Sequence, residues 1–251
     1  MNIVDQDYWD KSYRGYSYSV ANDEVTEFLD LYIEQINKQF VIKDCFEIGC
    51  YPGRYLAHIS QKFGLCANGV DATGELDGRL TEWMRTKNVQ VGTLYKDDAF
   101  KRIKRLTEEG VKFDLVYSVG FIEHFSDYLD VINLHGELLG RNGVLIITTP
   151  NFRGLIQRIG HILVDNDNYK RHVIEAMNPY EWRRLMEEKG FETVFCGYFG
   201  LFDFWVDKQK RNIFQLLLIR IFMRIKMIIK HRVRNDNPLY SPYCGMVLIK
   251  K

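Results

Sequence analysis

The stretch Asp44 to Asp71, D-C-F-E-I-G-C-Y-P-G-R-Y-L-A-H-I-S-Q-K-F-G-L-C-A-N-G-V-D, constrains the fold of this chain more than any other. Val41, Ile42, Cys45, Phe46 and Ile48 make an apolar run of strand length, and Glu47 stands where it ends. Gly49 and Gly53 follow, free to adopt backbone geometry and close approaches that a side chain forbids. Pro52 suits the first turn of a helix, where no backbone donor is lost. Tyr55, Leu56 and Ile59 have helical spacing, and Phe63-Gly64 supplies the stop. A second strand closes on Asp71, about twenty residues past the glycines, where an open α/β sheet sets an acid against a ribose. Strand, glycine turn, helix, strand and acid together predict a nucleoside-binding half-site.

The remainder repeats the alternation. Val25, Phe28, Leu29, Ile33, Ile36 and Phe40 predict a helix capped by Asn22 or Asp23. After Asp71 come a helix near Arg79 to Thr86, a short strand Val89-Gln90-Val91 and a helix from Ala99 to Glu109. Phe113 to Val119 is a continuous apolar run of the kind buried on both faces. It leads into G-F-I-E-H-F-S-D, then a helix over Leu129 to Leu139, a turn at Arg141-Asn142-Gly143, and the strand G-V-L-I-I-T-T-P-N. Strands alternating with helices mean a parallel, doubly wound sheet with right-handed crossovers. Residues 151–177 carry no strand signal and read as a lid or substrate wall. Asn178-Pro179 opens another helix, Phe191 to Tyr198 is a sixth strand, and Gly245 to Ile249 a seventh, with an insertion over 200–243 between them. One domain spanning 1–251 is expected, with residues 1–40 as an N-terminal arm and helix and 41–150 as the binding core.

Composition excludes several classes. A net charge of +1 gives no global field for nucleic acid. Cys45, Cys50, Cys66, Cys196 and Cys244 lack paired C-x-x-C spacing, which argues against a disulfide framework and a zinc site, and no metal is expected. The N-terminus has no basic-then-apolar signal, so a cytoplasmic protein is expected. Tyr8, Trp9, Tyr13, Tyr16 and Tyr18 are too many aromatics for a disordered tail. They either pack as a structural arm or close over a ligand.

In E-I-G-C-Y-P-G-R-Y-L, G-V-D-A, F-D-L-V-Y-S-V-G-F-I-E-H-F, L-L-G-R-N-G-V-L-I-I-T-T-P-N and M-N-P-Y-E-W-R-R-L-M-E-E-K-G-F, the chain resembles the class I S-adenosylmethionine-dependent methyltransferases over nearly its whole length. The closest likeness is to the small-molecule and glycan-modifying branch. The resemblance implies a Rossmann-like seven-stranded sheet whose last strand is antiparallel, with the N-terminal arm and the helical insertion added to it. S-adenosylmethionine is the implied cofactor and S-adenosylhomocysteine its product. Glu47 would hold the methionine ammonium, Gly49 and Gly53 would admit the methionine portion, and Asp71 would accept from the ribose hydroxyls. Ala72, Thr93 and Leu94 would flank the adenine, and Ser118 and Val119 would touch the methionine segment. Tyr13, Cys50 and Tyr51 complete the expected contacts. Two positions depart from the family pattern: Tyr51 replaces its middle glycine, and Thr93 stands where an acid is common, with Asp97 or Asp98 as substitutes. A nicotinamide dinucleotide site is the rival reading, but it wants G-x-G-x-x-G, and Glu47 would repel a diphosphate. A cationic, phosphate-free cofactor suits an acidic site.

Methyl transfer to a hydroxyl benefits from a base titrating near neutrality. His124, after the fourth strand, and His172, at the end of the lid, are the candidates; both also have the plain reading of structural histidines. O-methylation of a small molecule or a cell-surface glycan precursor is the expected reaction. N- or C-methylation, or a non-catalytic assembly role, are the alternatives. In the insertion, Phe214, Leu217, Leu218, Ile221, Ile225 and Ile228 form one stripe of a basic helix over 211–234, flanked by Arg220, Arg224, Lys226 and Lys230. Such charges cost about 2.5 to 3.5 kcal/mol each at a bilayer centre, so the helix does not span. It is read as a homodimer or packing surface, or as a peripheral membrane contact at the inner face.

Overall fold

The computed structural model describes every residue except Met1, Lys208 and His231; the side chain of Lys230, expected on a flank of the insertion helix, also lies outside the described residues. Seven strands, β1 (Asp44–Ile48), β2 (Cys66–Asp71), β3 (Val91–Lys96), β4 (Phe113–Val119), β5 (Leu139–Pro150), β6 (Phe191–Phe199) and β7 (Tyr243–Lys250), form one sheet. Their order is β3-β2-β1-β4-β5-β7-β6, and β7 runs antiparallel to both its neighbours. The helices are α1 (Gln6–Tyr13), α2 (Glu24–Asn37), α3 (Arg54–Phe63), α4 (Gly78–Thr86), α5 (Ala99–Glu108), α6 (Tyr128–Glu137), α7 (Leu155–Val164), α8 (Asn166–Lys170), α9 (Pro179–Glu187) and α10 (Ile213–Lys230).

The central strands alternate between two cores because side chains two apart share a face. Cys45, Leu115, Tyr117 and Ile146 pack with Leu29, Ile33, Leu56 and Leu80 from α2, α3 and α4. Phe46, Val116, Leu145 and Ile147 pack with Leu106, Ile132 and Trp182 from α5, α6 and α9. Both faces are covered, which is why these strands read as unbroken apolar runs. Asp23 caps α2 in a reciprocal box with Thr26, whose amide donates to Asp23 Oδ1 at 3.0 Å.

Three local differences from the sequence reading have clear causes. The third strand begins at Val91 rather than Val89. The Val89 amide still bonds to Met84 at the end of α4, and Asn88 takes a left-handed φ of 59° before the chain extends. Residues 141–143 lie inside β5 as a register irregularity instead of preceding the strand, since Leu139 already pairs with Phe113. Pro52 precedes α3 rather than opening it; Gly53, at φ 79°, is the cap.

The lid segment folds as α7 and α8. Buried Asp165 binds it to the start of the insertion, accepting from His161 Nδ1 at 3.0 Å, Asn168 Nδ2 at 2.9 Å and Arg211 Nη2 at 3.0 Å. On α10 the face toward the domain is Leu218, Ile219, Phe222, Met223 and Lys226, all partly buried. Phe222 lies 4.9 Å from the Phe204 ring, and Lys226 pairs with Asp203. Most of the expected stripe faces outward instead: Phe214, Leu217, Ile221, Ile225 and Ile228 are exposed. The helix is apolar on two sides, so its periodicity could not tell which side packs.

Candidate functional site

A cavity of about 620 Å³ opens at the carboxyl ends of β1, β2 and β4. The strand order reverses between β1 and β4, the point where open α/β sheets leave a crevice for ligands. Its floor is the turn after β1. Gly49 has φ 76°, and a Cβ there would lie 2.6 Å from the Phe121 ring. Gly53 has φ 79°, and a Cβ there would lie 2.6 Å from Leu80. Neither position accepts a side chain, as the sequence reading requires.

Asp71 ends β2 and is held by two backbone amides, Tyr51 N–H to Oδ2 at 3.0 Å and Thr73 N–H to Oδ1 at 2.9 Å. Burial pushes its carboxyl up to about 6, and these amides oppose the shift. Each oxygen keeps a lone pair for a further donor. Glu47 is buried and accepts from the Tyr117 hydroxyl at 3.1 Å. Burial, reinforced by the charge of Asp71, holds it well above the usual carboxylate range. Asp98 and Asp127 also line the cavity. Arg54 is the arginine among the described lining residues, and it is already bound to Asp23. The cavity is therefore acidic, and among its described lining residues there is no free cluster of cations for a diphosphate.

Tyr13, Glu47, Gly49, Cys50, Tyr51, Gly53, Asp71, Ala72, Val119 and His124 all line this cavity. Thr93, Leu94, Ser118 and His172 do not. Thr93 and Leu94 are corrected by the later start of β3: they lie within the strand, whose end level with Asp71 is Lys96, and Asp98 and Ala99 reach the cavity in their place. Thr93 instead donates its amide to Asn68 Oδ1 at 2.9 Å. Ser118 points into the opposite core. His135 Nδ1 donates to the Val131 carbonyl at 2.8 Å, so its Nε2 accepts from the Ser118 hydroxyl at 2.9 Å. His172 stands behind His124, with ring centres 4.7 Å apart. Burial pushes His124 down to about 4 and His172 to about 3, so both are neutral near pH 7 and are weak bases.

Tyr51 is buried, and its ring packs against Tyr13 at 5.0 Å and Tyr18 at 6.2 Å. Its phenol is pushed up by burial. The residue that departs from the family glycine thus serves Asp71 with its amide and the N-terminal arm with its ring.

Sequence reasoning did not single out Asn2 and Gln6, which line the cavity from the arm beside Trp9. Their signal was the density of aromatics before residue 20. The arm crosses the mouth of the site. Asp10 Oδ1 accepts from the Thr73 hydroxyl at 2.8 Å and the Gly74 amide at 2.9 Å. At the other end, the Ile3 amide donates to the His124 carbonyl at 2.8 Å, and Trp9 meets the His124 ring edge-on at 5.0 Å. Of the two readings of the arm, the geometry shows packing against the body, with Trp9, Tyr13 and Tyr16 lining the cavity.

Residues 14–194 match the family model described as a methyltransferase domain. No curated protein matches the chain. Among solved structures, a SAM-dependent methyltransferase from Archaeoglobus fulgidus is similar at 17% identity, covering 97% of this chain and 99% of that one, with a TM-score of 0.56. The magnesium protoporphyrin IX methyltransferase from Synechocystis PCC 6803 with bound SAH is similar at 13% identity, covering 98% and 97%, with a TM-score of 0.55. A plantazolicin methyltransferase in complex with SAH is similar at 11% identity, covering 90% and 84%, with a TM-score of 0.55. At these identities the likeness establishes the fold.

Proposed function

Since the chain belongs to the methyltransferase-domain family, we propose that it transfers the methyl group of S-adenosylmethionine to a hydroxyl of a small molecule or glycan precursor. The observation that carries this reading is the pairing of Glu47 and Asp71 in one acidic cavity at the reversal point of the sheet. On this reading Asp71 would accept from the two ribose hydroxyls, and Glu47 would face the ammonium of the methionine portion. The similar magnesium protoporphyrin IX methyltransferase has been solved with bound S-adenosylmethionine and with its product, which supports the same donor here. The sulfonium supplies an already activated methyl group, so the protein's contribution is positioning. The C–S bond breaks as a C–O bond forms, and the acceptor hydroxyl loses its proton.

Trp9, Phe121, Phe125 and His124 line the same cavity as Val119. An acceptor bound among these rings would present its hydroxyl to His124. Isothermal calorimetry with S-adenosylhomocysteine tests the donor site. The wild type is expected to bind, and Asp71→Asn to lose about tenfold to a hundredfold, the worth of hydrogen bonds to a charged group. Absence of binding by the wild type would refute the reading.

The outward face of α10 supports a location at an anionic membrane surface. Phe214, Leu217, Ile221, Met227 and Ile228 are exposed, and residues 211–234 contain six Arg or Lys besides His231 and Lys230, with no acidic residue. An apolar face with a basic border complements a bilayer of anionic lipid. Among the described residues no helix is long and apolar enough to cross a membrane. Flotation with vesicles containing anionic lipid should carry the protein upward, and Arg220→Glu with Arg224→Glu should abolish this. Binding to neither anionic nor neutral vesicles overturns the membrane location; a concentration-dependent dimer without flotation would assign the face to a second copy.

A further inference from the structure

At the His124 end of the cavity lies a second group of chemistry-bearing side chains that the donor site does not use. Glu123, His124 and His172 each bring one ligating atom within 4.8 Å of the other two. Glu123 is fully buried, and neither of its carboxylate oxygens has a hydrogen-bond partner.

The two imidazoles are oriented from behind. His124 Nδ1 lies 2.9 Å from the Arg171 carbonyl, and His172 Nδ1 lies 2.7 Å from the Asn168 carbonyl. A carbonyl oxygen only accepts, so Nδ1 carries the hydrogen in both rings and each neutral ring keeps its lone pair on Nε2. Backbone carbonyls fix metal-bound histidines in this way. The two segments are also tied directly, the Val173 amide donating to the Glu123 carbonyl at 2.7 Å. Two neutral imidazoles therefore converge with the Glu123 carboxyl, which burial pushes up to about 8, so an ion bound here takes the place of its proton. A cation satisfies all three groups together.

We propose that Glu123, His124 and His172 bind a divalent transition-metal ion, of the zinc or manganese kind, which holds the acceptor hydroxyl beside the donor site. The role in acceptor binding rests on the methyl-transfer reading above; the binding of the ion does not. Two imidazoles and one carboxylate suit zinc and other first-row divalent ions and leave coordination positions open. His124 borders the cavity, so the open positions face the acceptor. A hydroxyl on such an ion loses its proton more readily, which removes the need for a strong base. Four-coordinate zinc with bonds of about 2.1 Å sets its donors about 3.4 Å apart, so binding draws the three side chains inward.

The test uses the full chain after chelator treatment, titrated with Zn²⁺, Mn²⁺ and Mg²⁺ while metal content and Trp fluorescence are followed. Trp9, against His124, is the reporter. About one zinc or manganese ion per chain is expected, and Glu123→Gln and His172→Gln should each weaken it by about a hundredfold. Co²⁺ loading adds an absorption spectrum that reports nitrogen ligands and should change in His172→Gln. Circular dichroism and S-adenosylhomocysteine calorimetry on the same variants show that fold and donor site persist. Failure of the wild type to retain any of the three ions, or equal affinity in both variants, overturns the proposal. Donor binding without metal binding sinks the metal site alone; metal binding without donor binding sinks the donor reading and leaves the site standing.

Discussion

At the scale of single residues, Asp71 and Tyr51 would decide how the proposed donor site works. A ribose donates to a carboxylate, so the ligand binds the ionised form of Asp71 better than the protonated form. With its carboxyl pushed up to about 6 by burial, Asp71 takes up a proton as pH falls through that value. Affinity for S-adenosylhomocysteine should be level above pH 7 and weaken below pH 6, by at most about tenfold per unit for one proton. Asp71→Asn should remove that component of the pH profile. Tyr51→Ala, which empties a buried ring site, should cost about 3 to 5 kcal/mol by the precedent of buried aromatic deletions, read as a shift in denaturation midpoint. Tyr51→Phe keeps the ring and the amide, and loses only a 3.4 Å contact with the Tyr18 hydroxyl, so stability near that of the wild type is expected. Glu47, Gly49, Gly53 and Asp71 were legible as cavity-lining residues, because strand ends and glycine turns leave a local trace in the sequence. Thr93 and Leu94 were misplaced because a two-residue shift in the start of β3 leaves no trace in hydrophobic pattern.

At the scale of elements, α1 and α10 were both visible as aromatic or apolar segments, yet their periodicity did not say what they cover. Although α1 buries none of its residues fully, it roofs the cavity through side chains fixed at both ends. Asp10→Ala removes its anchor on Thr73 and Gly74 while touching no core residue. Hydrogen exchange of residues 6–13 should rise, and donor affinity should fall by several-fold, the scale of two lost hydrogen bonds at a half-exposed site. Unchanged exchange would show that Ile3 and Trp9 hold the arm by themselves. In α7, Gly160 admits the Phe204 ring so closely that a Cβ would lie 2.2 Å from it. Gly160→Ala should therefore loosen the insertion at Phe204 and Phe222, seen as faster proteolysis of α10, with the sheet unaffected.

For the whole molecule, the proposed donor site joins elements from distant parts of the chain, so ligand binding should stabilise all of it. S-adenosylhomocysteine at about a hundred times its Kd contributes about 2.7 kcal/mol, which for a chain of this size raises Tm by about 5 to 10 °C. A rise confined to part of the unfolding transition would mean that the arm and core unfold separately. The sequence by itself determined the alternation of strands and helices, because strands covered on both faces must be apolar throughout. It also determined the acidic, glycine-lined turn, because backbone strain and charge act locally. Only the tertiary structure decided that β3 ends at Lys96, that Ser118 turns away from the cavity and that the arm lies across it. It alone brought His172 beside Glu123 and His124. Those outcomes depend on contacts between residues far apart in the chain, such as Val173 with Glu123 and Asp10 with Thr73, and no local pattern encodes which distant partner a side chain will meet.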